Sequence, residues 1–253
     1  MQNESNNLEI IYLNIWGGKL KEKLLNFLQE KSESVDIFCF QEVFDNGKTT
    51  RAIYQGEYMN IFNDMQGVLP NHKGYFVASE GDEEGLSIFV KNDIDVVETG
   101  DVFVYRWKDA MENDDSATLG RNVQYVSINK NNKNYLVASF HGLWNGINKL
   151  DSADRIEQSN NIIKFINSRT EEYKILGGDF NLRPDTESVA ILEKDMKNLI
   201  KEYSVTSTRT SLYTKPEKFA DYVFVSPNIK VESFEVLPGE VSDHAAMKLV
   251  VSL

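Results

Sequence analysis

The sequence predicts an α/β protein with a strand-rich middle. Two stretches alternate strand, helix and strand, at residues 8–40 and 135–178, and short apolar strands separated by turn residues lie between them. Strand–helix–strand units imply parallel strands, whereas short turns join antiparallel ones. Because no linker rich in Pro, Gly or Ser divides the 253 residues, we expect a single domain, residues 1–253.

Charge and cysteine content narrow the function classes. The net charge of −12 argues against a surface that grips long duplex DNA, because such binding needs Lys and Arg to replace counterions. The one cysteine, Cys39, follows Ile-Phe and precedes Phe, which predicts a buried, inert thiol. The N-terminus has no basic start followed by an apolar core, and no apolar run reaches membrane-spanning length. We therefore expect a cytoplasmic protein with no membrane span.

The first strand–helix–strand unit delivers two polar side chains. The apolar run Leu8–Leu13 ends at Asn14, Lys19–Gln29 has helical spacing of its leucines, and Val35–Phe40 ends at Gln41-Glu42. Parallel strands place their carboxyl ends on one edge of the sheet. Asn14 and Glu42 are therefore predicted to be neighbours, although an acid after a strand is also common in a solvated loop.

The middle of the chain is predicted to be mostly antiparallel. A short helix is expected around Arg51–Tyr58, and His72, in a turn-like stretch, is expected at the surface without a role. The acidic segment 107–118 is interpreted as a solvated loop rather than a metal site. The predicted strands of this region are Tyr75–Ser79, Leu86–Lys91, Val96–Tyr105, Val123–Asn129 and Tyr135–Phe140.

His141 and its neighbours follow the last of these strands. An imidazole at a strand end beside Gly142 is typical of a functional loop, and a structural role in the core is the alternative. Trp144 is interpreted as packing, with stacking on a base or a sugar as the alternative. Asn145, in the same loop, is a candidate substrate contact.

The second unit contains the densest polar cluster. The helix predicted over Asp151–Arg169 leads to an apolar strand that ends in Gly177-Gly178-Asp179-Phe180-Asn181. Side chains two residues apart on an extended chain point to one face, so Asp179 and Asn181 leave the strand side by side. A carboxylate there can accept a proton from water or bind a metal, and an Asx turn is the alternative.

The C-terminal strands add an acid and an imidazole. Asp221 lies in the apolar strand Phe219–Val225, where a buried carboxylate needs a partner because an isolated buried charge is costly. Asp243 and His244 precede the last strand, Met247–Val250. A turn followed by an exposed histidine is the alternative, but Asp221 as an orienting partner favours catalysis.

These clusters offer ligands for a hard metal. The sequence contains no Gly-Lys-Ser/Thr phosphate loop, serine elbow or Cys/His zinc pattern. The candidate ligands are mostly oxygen atoms, which suit Mg²⁺ or Mn²⁺ better than zinc or copper.

Taken in order, the clusters resemble the endonuclease/exonuclease/phosphatase (DNase I-like) superfamily, and the resemblance runs from about Asn14 to His244. Arg155 and Gln158 match the family's Arg-x-x-Gln. The other matching segments are Leu13-Asn14, Gln41-Glu42, Ser139-Phe140-His141, Gly178-Asp179-Phe180-Asn181, Asp221-Tyr222 and Ser242-Asp243-His244. The resemblance implies a four-layer α/β/β/α sandwich in which helices flank two packed mixed sheets.

The resemblance also implies roles for these residues. A divalent metal, Mg²⁺ or Mn²⁺, would be held by Glu42, with Asn14 and Asp243 on the metal side. Asp179 would orient or deprotonate a water, and Asn181 would help to place it. His244, held by Asp221, would bind the scissile phosphate, and His141 would contact it from the other side. Arg121, Arg183 and Arg209 are candidate substrate contacts, each with a surface charge as the alternative.

The function predicted first is metal-dependent hydrolysis of a phosphodiester by in-line attack of water. The substrate is a phosphoester, with nucleic acids and nucleotides among the candidates, and a monomer is expected. Fold alone does not choose among substrates. The alternatives are a phosphomonoesterase, an inositol- or lipid-phosphate hydrolase, a non-catalytic binding protein that keeps the fold, and an unrelated α/β sandwich with chance matches.

Overall fold

Two six-stranded sheets form the framework of the residues that this computed structural model describes, 7–48, 55–81, 83–113 and 115–253. The strands are β1 (Asn7–Asn14), β2 (Ile37–Phe44), β3 (His72–Glu80), β4 (Glu84–Lys91), β5 (Asp95–Tyr105), β6 (Arg121–Lys130), β7 (Lys133–His141), β8 (Tyr173–Asp179), β9 (Lys197–Asn198), β10 (Asp221–Val225), β11 (Val231–Val236) and β12 (Met247–Ser252). The helices are α1 (Lys21–Lys31), α2 (Ile61–Val68), α3 (Ala153–Ser168), α4 (Glu187–Glu193) and α5 (Leu199–Glu202).

Each sheet has one parallel strand pair near its centre. The first sheet has the order β11-β12-β1-β2-β4-β3 and the second β5-β6-β7-β8-β10-β9. The pairs β1–β2 and β7–β8 are parallel, and the remaining neighbours are antiparallel. The predicted strand–helix–strand units are thus confirmed. Their carboxyl ends bring Asn14 beside Gln41 and His141 beside Asp179.

Period-two patterning in β1 explains the layering. Leu8, Ile10 and Tyr12 belong to the core that joins the two sheets, whereas Ile11 and Leu13 pack with leucines of α1. Alternate side chains of a strand point to opposite faces, so a strand with both faces buried is apolar throughout. The expected four-layer α/β/β/α sandwich is confirmed, and Cys39 is buried in its core as predicted.

A β-bulge interrupts the pairing of β2 with β4. The register shifts between Gln41 and Val43, and Glu42, the extra residue, has φ +58°. Bulges of this kind re-aim a side chain, and positive φ is uncommon for a residue with a Cβ. Gln41 remains in the ladder, and its Nε2 donates to Ser139 Oγ of the other sheet at 2.9 Å. The bulge therefore separates the inter-sheet contact of Gln41 from the outward side chain of Glu42.

Two predictions for the middle of the chain differ from the structure. Residues 51–54 of the helix expected around Arg51–Tyr58 lie outside the described residues, and residues 55–58 are not helical. Gly56 has φ +85°, and Tyr58 N donates to Gly17 O at 2.8 Å. These two features hold the segment in a turn before α2. The surface position expected for His72 is wrong. His72 is buried at the start of β3 because its Nε2 hydrogen-bonds Val35 O at 2.9 Å.

We predict that Gly178→Ala destabilises the protein. Gly178 has φ +133°, and a Cβ there would lie 2.1 Å from Phe140 O of the neighbouring strand. The strain and overlap together should cost about 3 kcal/mol of unfolding free energy, which is roughly 6–12 °C in Tm for a protein of this size. Thermal unfolding followed by circular dichroism measures the shift.

Gly67→Ala is the matched control, since a Cβ at Gly67 in α2 meets no atom within 4 Å. Alanine favours a helix over glycine by about 1 kcal/mol, so this variant should unfold at the same temperature or slightly higher. Equal Tm values for Gly178→Ala and the unchanged protein would contradict the assignment of strain to Gly178.

Candidate active site

Polar side chains from both sheets meet at the carboxyl ends of the parallel strands. Asn14 Nδ2 donates to Glu42 Oε1 at 2.9 Å and to Asp179 Oδ2 at 3.1 Å. Asn14 Oδ1 accepts from Trp16 N at 2.9 Å, which fixes the orientation of the amide. One asparagine therefore joins an acid of the first sheet to an acid of the second, and the predicted neighbours Asn14 and Glu42 are in contact.

Asp221, behind the cavity, and His244, which lines it, form a hydrogen-bonded pair. The N-terminal residue of β10, Asp221, lies opposite Asp179 in the antiparallel ladder. Its Oδ1 is 2.7 Å from His244 Nδ1, and its Oδ2 accepts from Thr208 Oγ1 at 2.8 Å. His244 Nε2 then lies 3.5 Å from Asp179 Oδ2. The hydrogen bonds from Thr208 to Asp221 and between Asp221 and His244 thus fix the orientation of the imidazole, and its Nε2 points toward Asp179.

The ionisation states of these groups follow from burial and neighbouring charges. Burial alone would raise the pKa of the Asp179 carboxyl, but the charges of His244 and Lys149 outweigh it and hold that pKa well below its usual range. For His244, burial opposes the charged form, and the Asp221 carboxylate raises the pKa above its ordinary value. The geometry therefore favours an ionised Asp179 beside a protonated His244.

His141 lies on the other side of Asp179 from His244, and its pKa is shifted in the opposite direction. Its Nε2 is 3.8 Å from Glu42 Oε1 and 3.9 Å from Asp179 Oδ2. Burial, with a smaller effect of the Arg121 charge, lowers the pKa of His141 to about 3. Its Nδ1 is buried without a hydrogen-bond partner among the described residues. A neutral imidazole with a free nitrogen can donate to or accept from a bound group.

Asn181 is fixed at both ends of its amide. Its backbone N–H donates to Asp179 Oδ1 at 2.8 Å, and its φ of +54° turns the chain sharply after β8. The side-chain Oδ1 accepts from Lys149 Nζ at 2.6 Å, and Nδ2 donates to Gly142 O at 3.2 Å. Asn181 therefore orients Asp179 through its backbone and orients Lys149 through its side chain.

Lys149 is the functional candidate that the sequence analysis missed. It is 1% exposed, lines the same cavity as Asp179 and His244, and its Nζ lies 5.2 Å from the centre of the Trp144 ring. Burial lowers the pKa of its ammonium, and the negative charge of Asp179 partly opposes that shift. A lone lysine in a polar loop gives no sequence signal.

The predicted substrate contacts divide into two groups. Arg121 and Arg209 line the cavity and are nearly buried, and Arg209 lies 3.4 Å from Asp243 and over the Tyr213 ring at 4.0 Å. Arg183 does not line the cavity and pairs with Asp185 instead. Asn145 does not line the cavity either. Its Oδ1 accepts from the backbone N–H of Ile147 and Asn148, because the loop turns there.

The cavity has a volume of about 460 Å³, within the range of small-molecule sites. Glu42, Asp179, Asp243 and both site histidines line it, whereas Asn14 and Asp221 lie behind these groups. Aromatic rings border it as well. The further lining residues are Trp16, Lys19, Phe44, Glu57, Glu84, Ser116, Leu119, Arg121, Trp144, Lys149, Asn181, Arg209, Tyr213 and Lys215.

The donor set fits a hard divalent cation. Glu42 and Asp243 offer carboxylate oxygens to the cavity, and burial raises the pKa of Glu42 although Asn14 partly offsets the effect. Asp179, Asp221 and His244 also place ligand atoms within 4.8 Å of one another. The direct 2.7 Å hydrogen bond between His244 and Asp221 makes these two a pair rather than two ligands. Oxygen ligands around Glu42 suit Mg²⁺ or Mn²⁺.

Arg155 and Gln158 of α3 hold the loop that follows His141. The Arg155 guanidinium donates to Leu143 O at 3.3 and 3.2 Å and to Leu150 O at 2.5 Å. Gln158 Oε1 accepts from Leu143 N at 3.0 Å. Both side chains are fully buried. They therefore act on the cavity only through the loop that carries Trp144 and Lys149.

Solved structures share this architecture. A mannosyl-6-phosphatase from Bacteroides thetaiotaomicron VPI-5482 aligns with TM-score 0.75 at 20% identity, over 97% of this chain and 100% of that one. TDP2 from D. rerio, complexed with a single-strand DNA product, aligns with TM-score 0.73 at 14% identity, over 99% and 100%. The human Nocturnin catalytic domain with bound sulfate aligns with TM-score 0.67 at 18% identity, over 97% and 93%. At these identities the likeness shows the fold.

The sequence comparisons give the family. No curated protein sequence matches this chain. A model of the Endonuclease/Exonuclease/phosphatase family matches residues 11–244, which include every strand-end cluster described above. Within the described residues no helix is long and apolar enough to cross a membrane. Because the family model spans most of the sequence, this chain belongs to the Endonuclease/Exonuclease/phosphatase family.

Proposed function

We propose that this protein is a phosphoester hydrolase that depends on a divalent cation, Mg²⁺ or Mn²⁺. The observation that supports the proposal best is the position of the Asp179 carboxylate, which lies 3.5 Å from the imidazole that Asp221 holds and in the same cavity as Glu42 and Asp243. Family membership supports hydrolysis of phosphoesters as the general activity.

The roles that we assign follow from the ionisation states. Asp179 is ionised and accepts a hydrogen bond from the attacking water, which it orients toward phosphorus. Because its pKa is low, its main contribution is orientation, and it takes the proton only as the new phosphorus–oxygen bond forms. Asp221 favours the positively charged form of His244, which donates to a phosphoryl oxygen and offsets the charge that develops there.

Glu42 and Asp243 would hold the cation, with Asn14 fixing the Glu42 carboxylate. A bound cation supplies positive charge beside the phosphoryl group, which lowers the barrier to attack. The neutral His141 offers a hydrogen bond from the side of the cavity opposite His244. Among the structural neighbours, one is named for a sugar phosphate and another holds a DNA product, so the neighbours themselves span small and polymeric phosphoesters.

We predict that Asp179→Asn and His244→Gln each lower kcat/KM by about 10³-fold, because each removes a group that acts on the reacting atoms. The assay follows release of p-nitrophenol from p-nitrophenyl phosphate and bis-p-nitrophenyl phosphate in the presence of Mg²⁺ or Mn²⁺. Addition of a chelator should abolish the activity, and excess Mg²⁺ or Mn²⁺ should restore it.

Asp185→Asn is the matched control for Asp179→Asn. Asp185 is an exposed acid that pairs with Arg183 at 2.8 Å, so its loss should leave kcat/KM unchanged. If neither ester is hydrolysed at high enzyme concentration with either metal, the proposed function is wrong. Full activity of Asp179→Asn would remove Asp179 from the reaction.

We also predict a positioning role for Thr208. Its buried hydroxyl donates to Asp221 Oδ2 and accepts from Ala220 N at 3.2 Å and Asp221 N at 3.3 Å. Thr208→Val leaves the buried Asp221 oxygen without that donor, which should cost about 1–3 kcal/mol of stability and lower kcat about tenfold. Thr208→Ser keeps the hydroxyl and should retain most of the activity. Equal kcat values for the two variants would show that the hydroxyl does not position the Asp221–His244 pair.

A further inference from the structure

The side chain of Lys149 is buried and makes no direct ion pair with a carboxylate of the described residues, although the charge of Asp179 acts on it from a greater distance. Its Nζ donates to the neutral Oδ1 of Asn181 at 2.6 Å, and within the described part of the chain no carboxylate oxygen lies within 4.0 Å of it. Removing an ammonium from water costs several kcal/mol, which an opposite charge normally offsets. Lys149 lines the cavity beside Asp179, so an anion that enters the cavity can reach it.

The loop around Lys149 is fixed by hydrogen bonds. Lys149 O accepts from Arg183 N at 2.9 Å, and the next residue, Leu150, is held on both sides. Leu150 N donates to Asn148 Oδ1 at 3.0 Å, and Leu150 O accepts from the Arg155 guanidinium. A charge that is held in place before the ligand arrives needs no reorganisation when the ligand binds. The loop therefore presents Lys149 as a ready anion contact.

We propose that Lys149 binds a terminal oxygen of the substrate's phosphoryl group and that this contact makes the site prefer a phosphomonoester dianion to a phosphodiester. The inference rests on the proposed function, since it concerns the same phosphoryl group. A monoester carries about two negative charges at neutral to alkaline pH and has three terminal oxygens. A diester carries one charge, has two terminal oxygens, and must place a second substituent in the cavity.

The surroundings of Lys149 support the monoester. Arg121, which is nearly buried, and Arg209, whose side chain is 6% exposed and pairs with Asp243, also line the cavity. The cavity volume of about 460 Å³ suits a small molecule, and the net charge of −12 disfavours a long polyanion. The sequence favoured a phosphodiester as the substrate, without Lys149 among the predicted site residues. With Lys149 in the cavity, the monoester becomes the first candidate and the diester the second.

The first test compares the two ester types in Lys149 variants at about pH 8, where the monoester is the dianion. We expect Lys149→Met to lower kcat/KM for p-nitrophenyl phosphate about 100-fold and for bis-p-nitrophenyl phosphate less than about tenfold. The measured quantity is the ratio of kcat/KM for the monoester to kcat/KM for the diester. This ratio is compared between each variant and the unchanged protein, so that the intrinsic reactivity of the two esters cancels. Lys149→Arg, which keeps the charge, should retain most of the ratio.

Lys230→Met is the control for the loss of one positive charge. The Lys230 side chain is 75% exposed and pairs with Glu232, so the variant should keep the wild-type ratio. An equal loss for both esters in Lys149→Met would show that Lys149 does not discriminate between them and would overturn the inference. If the diester is hydrolysed in an Asp179-dependent reaction while the ratio does not change, the inference fails and the proposed function stands.

The second test measures binding without turnover. Titration calorimetry in the presence of Mg²⁺ compares inorganic phosphate, a dianion, with dimethyl phosphate, a monoanion. We expect Lys149→Met to weaken the binding of inorganic phosphate at least about tenfold and to change that of dimethyl phosphate little. Unchanged phosphate affinity would overturn the inference. Because this measurement needs no hydrolysis, it decides the role of Lys149 even if the proposed function fails.

Discussion

The buried charge of Asp179 is the constraint on which the rest of the site depends. The side chain is 2% exposed, and its carboxylate has a lowered pKa although burial opposes ionisation. An ionised carboxylate in such a position requires donors and cations around it. Asn14, the backbone of Asn181 and the imidazole of His244 provide them, and each of these groups comes from a different part of the chain.

Close packing of the two sheets makes this convergence possible. A Cβ on Gly177 would lie 2.8 Å from the ring of Tyr12, and a Cβ on Gly178 would meet the carbonyl of Phe140. The strand that carries Asp179 is therefore glycine-rich where it passes the other sheet and its own neighbour. The hydrogen bond from Gln41 to Ser139 joins the sheets at the same level. Small residues and one polar contact set the distance across which Asn14 reaches Asp179.

The acids of the cavity have different neighbours on its two sides. On the side of Glu42 and Asp243 the donor atoms are carboxylate oxygens, which suit a hard cation. On the side of Asn181 the charge is the protein's own Lys149. In the function that we propose, a phosphoryl group lies between the two sides and contacts both. Arg155 and Gln158 support the second side from behind, which explains how two residues that never reach the cavity can belong to its architecture.

The sequence by itself determined the class of fold and most of the polar clusters. Strand periodicity and the strand–helix–strand units imply parallel pairs, so Asn14 and Glu42, and likewise His141 and Asp179, had to end on common edges. The need of a buried carboxylate for a partner was visible at Asp221. These inferences succeed because they depend on local patterning and on rules of strand direction.

Only the tertiary structure decided which polar side chains face the cavity and which serve the loops. Asn145 and Lys149 lie in one polar loop, yet the first closes a turn and the second enters the site, since the fold of that loop depends on contacts with α3 and Arg183. His72 was likewise expected in a surface turn, whereas the structure buries it at the start of β3. Such outcomes depend on residues distant in sequence, and a local pattern does not contain their positions.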